Sequence, residues 1–405
     1  MSFSPQYSLY SPLLSIFLLM LAHGPFNTFV ALEMEGNSVP IEVQGLIHSI
    51  YFFGLLLGPF CIERFMHKVG AIRSFIACCS AYAAAVALQA LVPGLWVLVP
   101  MRFLAGLSIS AIYLIIESWL MLAGGPDMRG RALSYYMISL YTGIAVGQFL
   151  LLTYDVGSLA PYLSVLFFLS LANIPVALTF RQAPATEILE PINAKGLIQD
   201  AFFGLTGLLI SGMILSNVYS LFPIYFAEKN LSVPYYMALF IGAGALLQVL
   251  FGKLSDKYDR RTILLILSFT SGILFFQLEQ TPPTSLMFPI LIALLGGLSF
   301  SLYPISMAQV CDRYHADKIV KLTSYLMIVY GLGSIIGPGL SGLLMKYLGT
   351  NFLPASTGIY CTLFFLVGVV HLSTRRKISN ELQVDTPVVG QTVVVSTENK
   401  GEERE

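Results

Sequence analysis

Two charged side chains lie inside a long apolar stretch of the sequence. Arg102 and Glu117 both fall within the run 95–122. A charge placed in hydrocarbon costs free energy, so ionisable residues inside membrane segments are functional candidates by default. We expect Arg102 to line a cavity, where it binds an anionic group or tunes a proton carrier. The alternative is a structural role, in which its guanidinium donates to backbone carbonyls of a neighbouring helix.

Helical geometry indicates that Arg102 and Glu117 have different partners. Fifteen residues of helix place them about 22 Å apart, so they cannot pair directly. The same geometry aligns Tyr113 with Arg102 on one face. Glu117 lies near the end of the run, where Arg129 or Arg131 could pair with it. This ion pair is the favoured interpretation of Glu117, and substrate or proton binding is the alternative.

The first apolar run carries an imidazole and an amide one helical turn apart. His23 and Asn27 lie near its middle. Neutral histidine can exchange a proton near physiological pH, and an amide can contact a polar solute. Asn217 occupies the corresponding place 190 residues later. Helix packing is the alternative role for each of these residues.

Polar stripes at helical spacing continue in two further runs. Tyr141 and Gln148 align on one face of the run 132–153, and Tyr303 stands between Ser299 and Ser306. Lipid offers such groups no partners, so they should face a water-filled path or each other. The predicted substrate-cavity residues are Arg102, Asn27, Tyr113, Tyr141, Gln148, Asn217 and Tyr303, and the candidates for proton coupling are His23 and Glu117.

The elements that must position these residues follow from composition. The chain has 405 residues, of which 56% are hydrophobic and 11% charged, against about a quarter charged in ordinary soluble proteins. Net charge is zero, which argues against a nucleic-acid partner. Runs long enough to cross a bilayer fall near 11–32, 44–66, 74–92, 95–122, 132–153, 160–179, 200–226, 235–254, 262–278, 285–311, 322–345 and 352–372. The sequence predicts an all-α polytopic membrane protein with twelve transmembrane helices.

An internal repeat divides these helices into two sets of six. A shift of 190 residues places Gly106, Gly143 and Gly147 on Gly296, Gly333 and Gly337. Parallel six-helix repeats are typical of one transporter architecture. The predicted segments are an N-terminal cytoplasmic segment (1–10), a six-helix bundle (11–180), a cytoplasmic linker (181–199), a second six-helix bundle (200–374) and a disordered cytoplasmic tail (375–405).

The distribution of basic residues predicts the orientation. With a cytoplasmic N-terminus, all but three of the 22 Lys and Arg fall on the inside. The exceptions are Lys229, Lys346 and Arg102. This positive-inside bias predicts that both termini are cytoplasmic.

One polar loop carries the most specific motif. The segment 252–261, with sequence GKLSDKYDRR, joins the eighth and ninth runs. It resembles the loop motif of the major facilitator superfamily, and the resemblance of the chain to that family extends over residues 11–375. The resemblance implies a conformational gate formed by Gly252, Asp256, Lys257, Arg260 and Arg261, which we extend to Arg131; an orientation signal is the alternative role. The first-half copy departs from the motif, with Glu63 and His67 at two key positions.

Further segments narrow the resemblance. Arg102 with Gly106 is similar to the fourth-span motif of the superfamily, and Gly143 to Gly147 is similar to part of its fifth-span motif. Together with Glu117 they resemble the YcaD-like branch of permeases. This resemblance implies a permease of the bacterial inner membrane.

The favoured function is secondary active transport of a small solute by alternating access, through a midplane cavity between the halves. Proton coupling is left open. The alternatives are a transport-fold sensor or receptor without net flux and, third, a membrane enzyme. We expect no enzyme activity, catalytic residue, cofactor or metal, because the sequence shows neither a nucleotide-binding signature nor a nucleophile with its base. The expected partners are the solute and the lipid bilayer, and the expected state is a monomer.

Overall fold

The computed structural model describes residues 7–123, 129–154, 157–179, 194–314 and 316–374. The regular elements of this part of the chain are helices. They are α1 (Tyr7–Gly36), α2 (Ile41–Val69), α3 (Ala71–Leu91), α4 (Leu95–Ala123), α5 (Arg129–Gly147) with a 3₁₀ turn (Gln148–Thr153), α6 (Ala160–Ala177), α7 (Ala194–Ser220), α8 (Phe222–Glu228), α9 (Val233–Lys257), α10 (Arg260–Gln280), α11 (Met287–Cys311), α12 (Ala316–Leu348) with a 3₁₀ turn (Thr350–Phe352), and α13 (Leu353–Thr374).

Within the described residues, twelve helices are long and apolar enough to cross a membrane, each of at least 18 residues. Only the short α8 falls outside that set. Large apolar side chains on the spanning helices, such as Leu246 and Ile290, are exposed, as a lipid-facing surface requires. The predicted fold class, an all-α membrane protein with twelve spanning helices, is confirmed.

The predicted seventh run is interrupted where the sequence suggested one helix. The run 200–226 breaks at Leu221, between α7 and α8. Pro223 lies in the first turn of α8, where it has no N–H to donate back to α7. Helix α7 also changes direction near its start, at Ala201, whose backbone is non-helical.

The two halves repeat the same helix packing. In the first half α1 packs on α5, α2 on α4, and α3 on α6. In the second half α7 packs on α12, α9 on α11, and α10 on α13. A 190-residue shift superposes the two sets of pairs, so the repeat in the sequence is also a repeat in the structure.

The repeated glycines make this packing possible. A Cβ on Gly106 would strike the backbone of α2 at Tyr51, and one on Gly296 would strike the backbone of α9 at Phe240. Close backbone approach between membrane helices depends on such small residues. The glycines therefore fix the α2–α4 and α9–α11 pairs in equivalent geometry.

The halves meet mainly along two helix pairs. Helix α2 packs on α12, and α5 with its 3₁₀ turn packs on α9. We call the end of the bundle with the α2–α3 and α9–α10 connections the basic end, because Lys68, Lys253 and Lys257 lie there. The α2–α12 contact lies toward the opposite end, since it includes Glu42 in the first turn of α2 and Lys346 in the last turn of α12.

Parts of the predicted segment plan fall outside the described residues, namely 1–6, most of the linker (181–193) and the tail (375–405). Where the structure is described, α1 begins at Tyr7 and α7 at Ala194. Both helices thus begin a few residues before the predicted bundle boundaries, and the division into segments stays a prediction.

Candidate functional site

A cavity lies between the two halves, near the middle of the spanning helices. Helices α1, α2, α4 and α5 line it on one side, and α7, α9, α11 and α12 on the other. The predicted cavity residues Arg102, Asn27, Tyr113, Tyr141 and Tyr303 all line it, and so do His23 and Glu117. The structure therefore brings seven of the nine predicted substrate and proton-coupling residues to one space.

Arg102 is the centre of a hydrogen-bonded cluster in the first half. Its side chain is 1% exposed. Its Nη2 donates to Oδ1 of Asn27 across 2.8 Å, and its guanidinium lies over the Tyr51 ring, 4.4 Å from the ring centre. A cation over an aromatic face is attracted by the ring quadrupole. Both contacts hold the side chain without neutralising its charge.

The same cluster fixes the tautomer of His23. Because Oδ1 of Asn27 accepts from Arg102, its Nδ2 faces His23 and donates to Nε2 across 3.2 Å. The Tyr51 hydroxyl also lies 3.1 Å from Nε2. Nε2 is thus an acceptor, and Nδ1 carries the proton and donates to the Tyr82 oxygen, 2.8 Å away. A second proton on His23 would require these bonds to rearrange.

Two buried polar atoms in the cavity wall have no hydrogen-bond partner among the described residues. They are Nε of Arg102 and Nε2 of His48. His48 is 1% exposed and lines the cavity from α2. Buried polar groups are normally paired, so unsatisfied atoms in a cavity wall indicate where a ligand or water can bind.

Glu117 lies farther along α4, toward the basic end. The residue is 6% exposed, and its carboxylate accepts a hydrogen bond from the Tyr136 hydroxyl. Both residues line the cavity. The favoured interpretation from the sequence paired Glu117 with Arg129 or Arg131, and the side chain of Arg129 lies outside the described residues. Arg131 is exposed on α5.

An aromatic wall faces this polar cluster from the second half. Phe300 on α11 packs against Tyr141, with ring centres 5.5 Å apart, and against Tyr219, with ring centres 6.1 Å apart. Tyr303 packs against Tyr330 at 4.6 Å. The Tyr141 hydroxyl bonds Gln248 on α9. Tyr141 thus contacts the second half through both its ring and its hydroxyl.

Two predicted cavity residues lie elsewhere in this conformation. Asn217 donates from Nδ2 to Oγ of Ser341, 2.8 Å away, and Ser341 lies 2.9 Å from the Tyr360 hydroxyl. This network joins α7, α12 and α13. Gln148 is fully buried where α5 passes into its 3₁₀ turn. Neither is among the cavity-lining residues, and their contact with substrate stays a prediction.

The residues of the loop motif meet at the basic end of the second half. Arg260 is 2% exposed, and its Nη1 lies 2.9 Å from Asp256 while its Nε lies 2.8 Å from Asp312. Asp259 caps α10 by accepting from the Thr262 amide. Arg260 therefore joins the ends of α9, α10 and α11.

The remaining motif residues differ in exposure. Gly252 and Arg261 are buried, and Lys257 is exposed. Gly252 accepts through its carbonyl from the Ser255 hydroxyl, and Ser255 in turn lies 3.3 Å from Nη1 of Arg260. The buried part of the motif is a hydrogen-bonded cluster at the end of α9 and the start of α10, and the lysines lie on the surface.

The sequence analysis missed several residues of the cavity wall. His48, Tyr51, Tyr219, Phe300, Tyr330 and Gln248 all line it. His48 and Gln248 carry a signal that could have found them, because each is a polar side chain within an apolar run. The three tyrosines carry the weaker signal of a hydroxyl within an apolar run, and Phe300 carries none.

Comparison with known sequences gives consistent matches. The family model described as Major Facilitator Superfamily matches residues 12–276 and 205–388. The "Uncharacterized MFS-type transporter YcaD" of Salmonella arizonae is 30% identical over 351 residues, which cover 84% of this chain and 90% of the relative. That of Salmonella heidelberg is 31% identical over the same shares.

Solved structures match the fold at low sequence identity. A bacterial homologue of the human lysosomal transporter Spinster superposes with a TM-score of 0.75 at 13% identity, covering 92% of this chain and 99% of that one. A D-xylose–proton symporter superposes with a TM-score of 0.73 at 12% identity, covering 93% and 99%. The nucleoside transporter NupG gives 0.69 at 12% identity, covering 91% and 100%.

Proposed function

The chain belongs to the major facilitator superfamily, and we propose that it is a secondary active transporter that moves a small solute by alternating access. The observation that carries the proposal is the cavity itself. Both halves line it with buried polar and aromatic side chains, and it lies where the interface of two parallel repeats places a transport site.

The orientation of the bundle follows from its charges. We assign both termini and the basic end to the cytoplasm, because cytoplasmic loops carry the excess of Lys and Arg. The opposite end, with Glu42 and Lys346, is then outside. The YcaD relatives are bacterial proteins, which supports a bacterial inner membrane.

In this conformation the outer end is closed by a seam between α2 and α12, which we call the outer seam. Its outermost contact is the 2.8 Å ion pair of Lys346 with Glu42. Below it, Gly45 packs against Pro338 and Gly342 so closely that a Cβ would not fit.

One turn deeper, Ser49 donates to the Ile335 carbonyl across 2.6 Å. The outer seam thus has few strong bonds, and each of them joins one half to the other. Opening to the outside would break these bonds and the Tyr141–Gln248 contact, and the contacts within each half would remain.

The loop motif is suited to a gating role at the inner end. Arg260 has two carboxylate partners on two different helices, Asp256 on α9 and Asp312 on α11. A shift of α9 would break the bond to Asp256 and a shift of α11 would break the bond to Asp312, while Arg260 keeps its other carboxylate partner. This geometry supports the proposal that the motif controls conformation, with substrate bound elsewhere.

The geometry favours Glu117 over His23 as the carrier of a coupling proton. Both ring nitrogens of His23 are engaged in hydrogen bonds within the first half. Glu117 lies in the cavity wall toward the proposed cytoplasmic side, and its Tyr136 partner can bond either protonation state of the carboxyl group.

The outer seam provides a test of the proposal. In a background with the exposed Cys61 replaced by serine, Glu42→Cys and Lys346→Cys are combined, and the protein is reconstituted in proteoliposomes. We expect uptake or exchange of at least one solute in a screen of labelled metabolites, loss of that flux on oxidative cross-linking, and its recovery on reduction.

Each single-cysteine variant, treated with the same oxidant, is the matched control and should keep its flux. Full flux in the cross-linked protein would overturn alternating access through this seam. A protein that binds ligands but gives no flux with any solute would support the sensor alternative.

A further inference from the structure

The chemistry of the cavity also indicates its cargo, on the premise that the proposed function is correct. Arg102 carries a positive charge in a space that water reaches poorly, since its side chain is 1% exposed. None of the ion pairs formed within the described residues involves it. Its direct partners, the Asn27 amide and the Tyr51 ring, are neutral.

An unneutralised buried cation is costly unless an anion accompanies it for part of the time. Glu117 cannot take this role, because fifteen residues of α4 separate the two by about 22 Å along the helix axis. The cluster instead leaves a buried N–H donor unsatisfied, because Nε of Arg102 has no partner among the described residues. A ligand carboxylate is the group that best satisfies such a donor.

His48 supplies a second unsatisfied atom in the same wall. Its Nε2 has no described partner, and the side chain is 1% exposed on α2. In the Nε2–H tautomer it donates, and so it can share a carboxylate with Arg102. An ammonium has no acceptor for either donor, and a neutral amide accepts without the negative charge that strengthens hydrogen bonds to a cation.

The opposite wall favours an apolar body attached to that carboxylate. Tyr219, Phe300, Tyr303 and Tyr330 present ring surfaces from the second half. Aromatic side chains bury large apolar surfaces and prefer edge or offset contact with another ring. Glu117 at the far end of the cavity would repel a second negative charge.

We propose that the cavity binds an organic monoanion, with its carboxylate at Arg102 and His48 and its apolar or aromatic body against the wall formed by Tyr219, Phe300, Tyr303 and Tyr330. The proposal that this anion is the transported solute depends on the transport function above. Binding itself can be measured without flux.

The test uses four probes that share one phenyl body and differ in charge: 3-phenylpropionate, its neutral amide 3-phenylpropionamide, the cation 3-phenylpropylamine and the dianion phenylsuccinate. Affinity for the purified full chain is measured by equilibrium dialysis with labelled probes. We expect the monoanion to bind at least about tenfold more tightly than each of the other three, which is the scale of one charge-assisted hydrogen bond.

Variants then locate the anion site. Arg102→Gln and His48→Ala should each remove the preference for the acid over the amide. A cooperative thermal unfolding transition, measured separately, shows that both variants are folded. Arg102→Lys should keep part of the preference. Lys229→Gln, which removes one positive charge outside the cavity, is the matched control and should behave as wild type.

Equal binding of acid, amide and amine, or an undiminished preference in Arg102→Gln, would overturn the proposal, as would the absence of binding by all four probes. Counterflow of labelled 3-phenylpropionate in proteoliposomes separates this outcome from the transport function. Binding without counterflow contradicts transport and keeps the anion site, whereas exchange of the amine in place of the acid keeps transport and contradicts the anion site.

Discussion

Asn27 determines how much charge Arg102 presents to the cavity. Its Oδ1 accepts from the guanidinium at 2.8 Å, and its Nδ2 donates to His23. An aspartate would have nearly the same shape but would neutralise Arg102 directly. With an amide at this position Arg102 keeps its net positive charge, whereas a carboxylate would form an ion pair with it.

Asn27→Asp is expected to weaken binding of 3-phenylpropionate by about tenfold or more, because the new carboxylate would pair with the Arg102 guanidinium in place of the ligand carboxylate. Equilibrium dialysis measures the change. Retained affinity in a folded Asn27→Asp protein would show that Arg102 does not bind the anion.

Asn217 offers the matched control in the other repeat. It bonds Ser341 within a network of α7, α12 and α13, away from the cavity wall. We expect Asn217→Ala to lower stability by about 1 kcal/mol, the net value of one buried hydrogen bond, and to leave anion binding unchanged. Thermal unfolding in detergent measures the first effect, and a loss of binding would instead place Asn217 in the site.

Glu117→Gln should separate coupling from exchange. The amide keeps a hydrogen bond to Tyr136 but cannot carry a proton. We expect solute counterflow to continue and accumulation driven by a pH gradient to disappear, as measured in proteoliposomes with and without a proton ionophore. Accumulation that persists in this variant would remove Glu117 from the coupling path.

Among the predicted substrate and proton-coupling residues, the charged residues and the tyrosines line the cavity, whereas Asn27 is the one amide of three that does. Arg102, Tyr113 and Tyr141 reach the cavity because a charge or a hydroxyl in an apolar run needs a polar environment. Asn217 follows the same rule but finds its partner in Ser341 on a neighbouring helix. Sequence spacing does not determine which of the two environments a buried amide takes, because that depends on the neighbour's side chains.

At the scale of the helices, glycines at equivalent repeat positions set the distance between packed pairs. Gly296 faces the backbone of α9 at Phe240, whereas Gly242 on α9 has open space where a Cβ would lie. The two positions thus differ in packing while sharing residue type and membrane environment.

Gly296→Ala is expected to lower stability by about 1–3 kcal/mol, because an inserted methyl group must push α9 and α11 apart. Gly242→Ala is the matched control and should be neutral or slightly stabilising, because alanine favours the helix over glycine. Thermal unfolding of the two purified variants measures the difference in stability. Equal stability of both would show that the α9–α11 contact tolerates separation.

Helix boundaries illustrate what apolar runs cannot specify. The run 200–226 is continuous in hydropathy, yet the helix breaks at Leu221 before Pro223. Proline is tolerated elsewhere within helices here, at Pro25, Pro100 and Pro304. Whether a proline bends or ends a helix depends on the partners of the freed carbonyl groups, which are tertiary features.

At the scale of the whole molecule, the sequence predicts two halves but not how they are tilted against each other. The 190-residue repeat requires equivalent bundles, and the paired contacts of α1–α5 with α7–α12 confirm that equivalence. Under the proposed alternating access, the outer seam between α2 and α12 would form in one conformation of the transport cycle and open in another. Its contacts, from Glu42–Lys346 to Ser49–Ile335, would then be present in that conformation and broken in the other.

The central claim, that the two ends of the molecule open in alternation, is tested most directly by distances measured at both ends of the same protein. Spin labels at Asn37 and Asn230 report on the end that carries the outer seam, and labels at Lys68 and Tyr258 report on the basic end, which we assign to the cytoplasm. These positions are exposed and belong to different halves in each pair. Double electron–electron resonance in nanodiscs, with and without 3-phenylpropionate and at acidic and alkaline pH, gives the distance distributions.

The account predicts a reciprocal change. In the populations where the Asn37–Asn230 distance increases, the Lys68–Tyr258 distance should decrease, and cross-linking Glu42→Cys to Lys346→Cys should abolish both shifts. Distances that change together in the same direction, or that stay fixed in a preparation that transports solute, would contradict alternating access between these two halves.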